Sequence, residues 1–436
     1  MELRQITEQN PWWEDRERIN EDEKVKEALS KRQKIVFAFK NENALIIGPR
    51  QVGKTTFLKL FIKNLIDNGV DSKRILYFSC ETIKDFNDLV EIVRFSDSLM
   101  QGKKYLFFDE ITFVNEWQRA VKFVLDSPLI NDKFIFVTGS STIALKKETF
   151  PGRPIKIRSF LPLSFKDFCN IFGSESLKKE LTVQISGLSV NELNEKAKKL
   201  LFYFREIEKL FRLYVMCGGF PRSAYELIEE GRIREETHEI YWKWLIGDIA
   251  KIERSERITS SVLLGVLKNY GTRFSLNSIA KEMEIGSHVT IRGYLEVLEN
   301  LFILRNVFPI DLKKGVESFK RMRKVYFIDP FLFHSFKMQL TKTEIKEEEM
   351  PKLVEGIVAE HLIRKFGKIL YYYQKKEIDF YLEGSGIEVK WQKKVEERDF
   401  PAVELKNKIL VGKDQFEFFK DDMMIIIPTS IFLLLI

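Results

Sequence analysis

The run Gly48-Pro49-Arg50-Gln51-Val52-Gly53-Lys54-Thr55-Thr56 fits the spacing G-x-x-x-x-G-K-[ST]. The chemistry of that pattern is phosphate binding. Glycines let backbone N–H groups converge on phosphate oxygens, and the N-terminus of a following helix adds positive potential. Lys54 would neutralise the β- and γ-phosphates, and the Thr55 hydroxyl could ligate Mg²⁺. Asp109 and Glu110, at the end of YLFFDE, form a second cluster. Asp109 would hold the metal through its water shell, and Glu110 would polarise an attacking water. In FIFVTGSS, Thr138, Ser140 or Ser141 could touch the γ-phosphate, or could equally cap the next helix.

These groups need an α/β scaffold. The apolar strand ALII lies directly before the glycine-rich loop, and the amphipathic TFLKLFIKNLI follows it. ALIIG (44–48), ILYFS (75–79), YLFFD (105–109) and FIFVTG (134–139) read as parallel strands buried on both faces. The two acids then sit at a strand's carboxyl end, where parallel sheets bind ligands.

The chain has 436 residues, 44% hydrophobic and 31% charged, which predicts several globular domains and excludes a single small module. Three cysteines, Cys80, Cys169 and Cys217, are too few and too far apart for a disulfide framework or a zinc cluster, and predict a reducing compartment. The polar start has no secretory character, so a cytoplasmic location is expected. The terminal MMIIIPTSIFLLLI is too short to span a bilayer and reads as two buried strands, so no membrane association is expected. Net charge is +7.

From about Phe160 to Glu256, apolar residues recur at helical spacing, and this region reads as all-helical. SLNSIAKEMEIGSHVTIRGYLEVLENLFIL reads as a helix-turn-helix. Ser275 caps the first helix, Ile285-Gly286-Ser287 forms the turn, and Ile291, Leu295, Leu298 and Leu301 face the core. ILRNVFPI and KVYFID could pair as a wing around Lys313, Lys314, Lys320, Arg321, Arg323 and Lys324. Residues 257–329 carry a basic excess of five, which suits phosphate contacts, with His288, Thr290 and Arg292 as candidate groove contacts.

The combination of NPWW (10–13), GPRQVGKTT, YFSCE (77–81), FFDEI (107–111), VTGSS (137–141), GRPIKIRSFLPLSF (152–165) and GGFP (218–221) resembles the archaeal and bacterial AAA-superfamily ATPases related to the STAND branch. Many of these carry a winged helix and a nuclease-like C-terminus. The resemblance implies a five-strand parallel core, a helical lid, and ATP with Mg²⁺ bound between core and lid. It places Gly219 and Pro221 in a G-x-P motif near the adenine and packs NPWW near the base. Arg153 is then the first candidate for a charge-sensing arginine, with Arg158 and Arg222 as others.

In EIDFYLEGSGIEVKW, Asp379 and Glu388 flank a Gly-containing turn, and Lys390 lies two residues past Glu388 on the same strand face. Together with Glu360, in a G-x-x-x-E pattern on the preceding helix, they resemble a PD-(D/E)XK nuclease core. In that resemblance Asp379 and Glu388 chelate Mg²⁺, Lys390 holds or activates water, and Glu360 assists the metal.

The expected plan is an N-terminal segment at 1–34 packing on the nucleotide site, a P-loop core at 35–159, a helical lid at 160–256, a winged helix at 257–330 and a nuclease-like α/β domain at 331–436. The expected function is an ATP-driven switch acting on DNA, possible as a homo-oligomer or with a protein partner. The alternative is a regulated interaction scaffold that processes no nucleic acid.

Overall fold

A computed structural model describes residues 3–30, 39–83, 85–142, 150–311, 316–318, 322–374 and 376–436. The chain divides into two compact units, residues 1–161 and 162–436.

The first unit is built on a five-stranded sheet of β1 (Ala44–Ile47), β2 (Ile75–Ser79), β3 (Lys104–Asp109), β4 (Lys133–Gly139) and β5 (Lys156–Ser159), in the order β2-β3-β4-β1-β5. Every pairing is parallel. β1 and β3 are buried along their whole length, as their unbroken apolar runs require. The helix Lys54–Asp67 buries Phe57, Leu58, Phe61, Ile62 and Leu65. Phe61 meets Phe107 and Phe136 edge-on, with ring centroids 5.5 and 5.0 Å away, which fixes this helix against β3 and β4.

β2 is the sheet's terminal strand, and the N-terminal segment closes its open edge. The Asn10 amide both accepts from Tyr77 N (2.7 Å) and donates to Tyr77 O (2.8 Å), as a neighbouring strand would. The indoles of Trp12 and Trp13 both donate to Ile75 O. Asn10, Trp12 and Trp13 of NPWW thus all bond to backbone groups of β2.

The second unit begins with helices Phe165–Phe172, Glu175–Glu180, Val190–Leu201, Phe204–Cys217, Pro221–Glu230 and Glu235–Lys251. Glu256–Lys268, Leu276–Glu282 and His288–Asn300 follow. Ser275 and Ser287 cap the last two through their side-chain oxygens, as read from the sequence.

A mixed nine-stranded sheet completes the unit: β6 (Leu304–Asp311), β7 (Val316–Glu317), β8 (Lys324–Phe327), β9 (Leu370–Tyr373), β10 (Glu377–Leu382), β11 (Ser385–Val389), β12 (Asn407–Gly412), β13 (Glu417–Phe419) and β14 (Met424–Pro428). β6 pairs antiparallel with β8, as the wing reading expects, but it also pairs parallel with β9. The strands after the helix-turn-helix thus share one sheet with the C-terminal strands.

The terminal apolar run is one strand and one helix, which corrects the two-strand expectation. Pro428 ends β14, and Thr429–Leu435 turns helical with every residue buried. A short run that is apolar all round does not by itself distinguish a buried strand from a buried helix.

Candidate nucleotide site and the C-terminal carboxylate cluster

The glycine-rich loop joins β1 to the helix Lys54–Asp67. Gly53 has φ 94° and Gln51 φ 64°, so the loop passes through left-handed backbone just before the helix starts. Gly48 N donates to Gly139 O, tying the loop to the end of β4. A Cβ on Gly48 would lie 1.8 Å from Phe160 O, so this glycine is required by close backbone approach.

Lys54 is 4% exposed, and its ammonium donates to Gly48 O and Pro49 O at 2.9 Å each. Glu110 Oε1 lies 3.6 Å from it. Burial holds the Lys54 pKa below its ordinary value, and the charges of Glu110 and Asp109 act in the opposite direction. Thr55 Oγ1 donates to Asp109 Oδ2 at 2.6 Å, and Thr138 Oγ1 donates to Asp109 Oδ1 at 2.5 Å. Thr138 also accepts from Glu110 N at 2.8 Å, so one hydroxyl sets both acids. Glu110 itself is left-handed, with φ 51°.

The Tyr77 hydroxyl donates to Asp109 Oδ2 at 3.0 Å. Burial beside that carboxylate pushes the Tyr77 pKa up, so the group is a neutral donor. Sequence reading missed Tyr77, because a tyrosine inside an apolar strand looks like core. Its signal was register: on neighbouring parallel strands, Tyr77 pairs with Phe107 two residues before Asp109.

The donor set fits a nucleotide with Mg²⁺. Glu110 Oε2 is buried with no hydrogen-bond partner, and the Lys54 ammonium donates to two carbonyls of its own loop. Arg50 is half-buried, with its guanidinium 5.8 Å from the Phe113 ring centroid. Val52 and Ser140 are buried, while Thr56 is half-buried. Arg153, the first candidate for charge sensing, makes a forked pair with Asp126. Arg158 pairs with Glu42.

A family model described as an AAA domain matches residues 40–169. Residues 40–169 are therefore similar in sequence to an AAA domain. The five-stranded parallel sheet and the glycine-rich loop both lie within these residues. A model of a domain of unknown function matches residues 208–344. An uncharacterized protein of Methanocaldococcus jannaschii is 27% identical over 369 residues, covering 80% of this chain and 74% of the relative. One of Haemophilus influenzae is 27% identical over 299 residues, covering 65% of this chain and 66% of its own length, just under two thirds. The Aeropyrum pernix ORC1 protein in complex with DNA aligns over 74% of this chain and 92% of its own, at 15% identity and TM-score 0.32. The Thermotoga maritima RuvB Holliday junction branch migration motor aligns over 74% and 96%, at 18% identity and TM-score 0.30.

Outside the AAA domain, GGFP is a turn held by Asp329. Asp329 Oδ2 accepts from Gly219 N at 2.8 Å, and Leu163 N donates to Gly219 O. A Cβ on Gly218 would lie 1.9 Å from Asp329 Oδ1, and one on Gly219 would lie 2.0 Å from Leu163 O. Pro221 opens the next helix and is half-buried. Burial pushes the Asp329 pKa up to about 7, partly offset by its two backbone donors.

On the second helix of the helix-turn-helix, His288 and Arg292 are exposed and Thr290 is half-buried. The basic residues assigned to the wing divide. Arg323 is buried, lies over the Phe308 ring and donates to Asn306, and Lys324 is 1% exposed. Neither is available to phosphate, which corrects the wing reading: Lys324 on β8 faces Asp379, and Arg323, just before β8, is bridged to Phe274. Lys313, Lys314, Lys320 and Arg321 lie outside the described residues.

Asp379 on β10 and Glu388 on β11 come together as the hairpin reading requires. The register Phe380↔Ile387 sets them opposite each other across the strand pair, with Glu383 and Gly384, both at positive φ, forming the turn. Glu388 Oε2 accepts from Asp379 N at 3.2 Å, and Lys390 Nζ donates to Glu388 Oε1 at 2.7 Å. Glu360 is elsewhere. It is bonded to Arg305 and Arg364, whose charges hold its carboxyl below the usual range despite burial. The helix acid that reaches the cluster is Glu355, five residues earlier and so on another face of the same helix Met350–Phe366. Among the described residues, no group of three or more His, Cys, Asp or Glu side chains is arranged to hold a metal ion. No described helix is long and apolar enough to cross a membrane.

Proposed function

We propose that this chain is a Mg²⁺-dependent AAA-type ATPase that works as a nucleotide switch, associated with DNA through a winged helix and carrying a nuclease-like C-terminal domain. The observation that carries the reading is the bond between Thr55 and Asp109 with Lys54 and Glu110 beside it. Bound ATP with Mg²⁺ would supply the reactive γ-phosphoryl group. The loop 48–56 would hold the phosphates through its N–H groups and Lys54, and Thr55 and Asp109 would hold the metal. Glu110 Oε2, buried without a partner, would orient water and take its proton. Thr138 keeps Glu110 in its left-handed conformation through the bond to its N–H. The test is ATP turnover: Lys54→Ala loses binding or turnover, and unchanged turnover refutes the assignment.

Support for the DNA association is a capped helix pair presenting His288 and Arg292, followed by an antiparallel strand pair. The inward turn of Arg323 and Lys324 favours a second reading, a regulated scaffold that binds protein partners. Duplex binding across a salt series separates the two. The DNA reading requires affinity that falls steeply with ionic strength, and flat or absent binding supports the scaffold.

A further inference from the structure

The four oxygens of Asp379 and Glu388 are already satisfied by groups of the protein. Asp379 Oδ1 accepts from Lys324 Nζ at 2.8 Å, and its Oδ2 accepts from Val389 N at 3.0 Å. Glu388 Oε1 accepts from Lys390, and its Oε2 accepts from Asp379 N. This differs from the AAA domain, where Glu110 keeps a buried oxygen without a donor.

Lys324 lies at the centre. Its ammonium is within 3.0 Å of Glu355 Oε1, 2.9 Å of Glu377 Oε1 and 2.8 Å of Asp379 Oδ1. An ammonium has three N–H donors and no acceptor, so three carboxylate oxygens complete its coordination. The side chain is 1% exposed, which in a buried site demands such pairing. The acids come from β10 and the helix Met350–Phe366, and Lys324 comes from β8, a different part of the sheet. The surrounding contacts hold the arrangement: the Tyr326 hydroxyl donates to Glu355, and Arg273 pairs with Glu377. Two carboxylates directly opposite across a strand pair repel, and a divalent ion is one way to hold them. Here lysine side chains perform that neutralisation, Lys324 on Asp379 and Lys390 on Glu388.

We infer that Lys324 is the resident cation of this cluster and stands where a nuclease-type site would hold its divalent metal, so that this site binds no metal and cuts no nucleic acid. The inference rests on the nuclease-like reading of Asp379, Glu388 and Lys390. The residues present do not fit a metal while Lys324 is in place, since its entry would require expelling a tethered ammonium from three acceptors.

The test is Mn²⁺ binding by full-length protein without nucleotide, followed by electron paramagnetic resonance and calorimetry. An Asp109→Asn background silences the AAA site. With Lys324 present, no Mn²⁺ is taken up at the cluster, and Mn²⁺ and EDTA leave the unfolding midpoint unchanged. Lys324→Met gains a single Mn²⁺ site, which Asp379→Asn removes. Mn²⁺ uptake by the Lys324 protein that Asp379→Asn abolishes would overturn the occupancy inference alone. A folded Lys324→Met protein that takes up no Mn²⁺ would overturn the nuclease-like reading beneath it. If Lys324→Met fails to fold, the Lys324 protein with and without Asp379→Asn still decides, because Asp379-dependent uptake or stabilisation by Mn²⁺ refutes the inference and its absence supports it.

Discussion

Tyr77 and Asp109 are joined by a hydrogen bond of 3.0 Å, which carries the position of the sheet's edge strand to the acid expected to hold the metal. The backbone of the same tyrosine is clamped by Asn10, and its ring lies 3.6 Å from the Lys59 ammonium. The N-terminal segment is thereby linked to the site through a strand.

Tyr77 is thus a positioning residue, and Tyr77→Phe should weaken the hold on Mg²⁺ by about 1 kcal/mol, or about five-fold in the concentration needed for half-maximal turnover. Nucleotide binding measured in EDTA should not change. An unaltered Mg²⁺ titration would remove Tyr77 from this role.

Glu110→Gln should keep the fold and trap ATP, since the amide preserves shape but cannot take a proton. Turnover should fall by about 10²- to 10⁴-fold while binding survives. Filter retention of labelled ATP over time checks this, and rapid product release from the variant would contradict it.

The Asp329 carboxyl should make stability depend on pH. Its pKa is raised from about 3.9 in an unfolded chain to about 7 in the fold. The folded state therefore binds the proton more tightly, so this contribution is fully present below about pH 4 and is lost as pH rises to about 7. Glu355 and Glu388, also raised to about 7 by burial, act in the same direction. Unfolding midpoints from pH 4 to 8 should fall less steeply for Asp329→Asn than for wild type, over a lower baseline, because one of the two backbone donors loses its acceptor. Parallel curves would show that Asp329 ionises in the fold as it does in the unfolded chain.

On the DNA side, His288→Ala and Arg292→Ala should each weaken duplex binding, the arginine by about 1 kcal/mol or more and with a reduction of about one in the salt slope if it meets a phosphate. Fluorescence anisotropy across a salt series reads both, and unchanged affinity in both variants would favour the scaffold.

The parts of the site that were legible in the sequence are those where chemistry and local structure coincide. The loop 48–56 needs glycines for its backbone, and Asp109 and Glu110 end an unbroken apolar strand, so both could be placed without tertiary information. The same holds for the caps at Ser275 and Ser287. What stayed hidden depended on packing between distant segments. Lys324 looked like one more surface charge in a basic run, and only its strand pairing with β6 turns it inward. Glu360 matched a spacing, yet Arg305 from β6 claims it, while Glu355 stands beside Gly356, where a Cβ would lie 2.1 Å from the Tyr270 hydroxyl. The final helix was misread because a run apolar at every position has no period from which to choose between strand and helix.

Calorimetric titration of folded full-length protein with ATP and Mg²⁺ bears most directly on the account. Saturable binding of a single nucleotide, lost in Lys54→Ala and retained in Glu110→Gln, is the predicted result. No heat of binding to wild type, or equal affinity in wild type and Lys54→Ala, would contradict it.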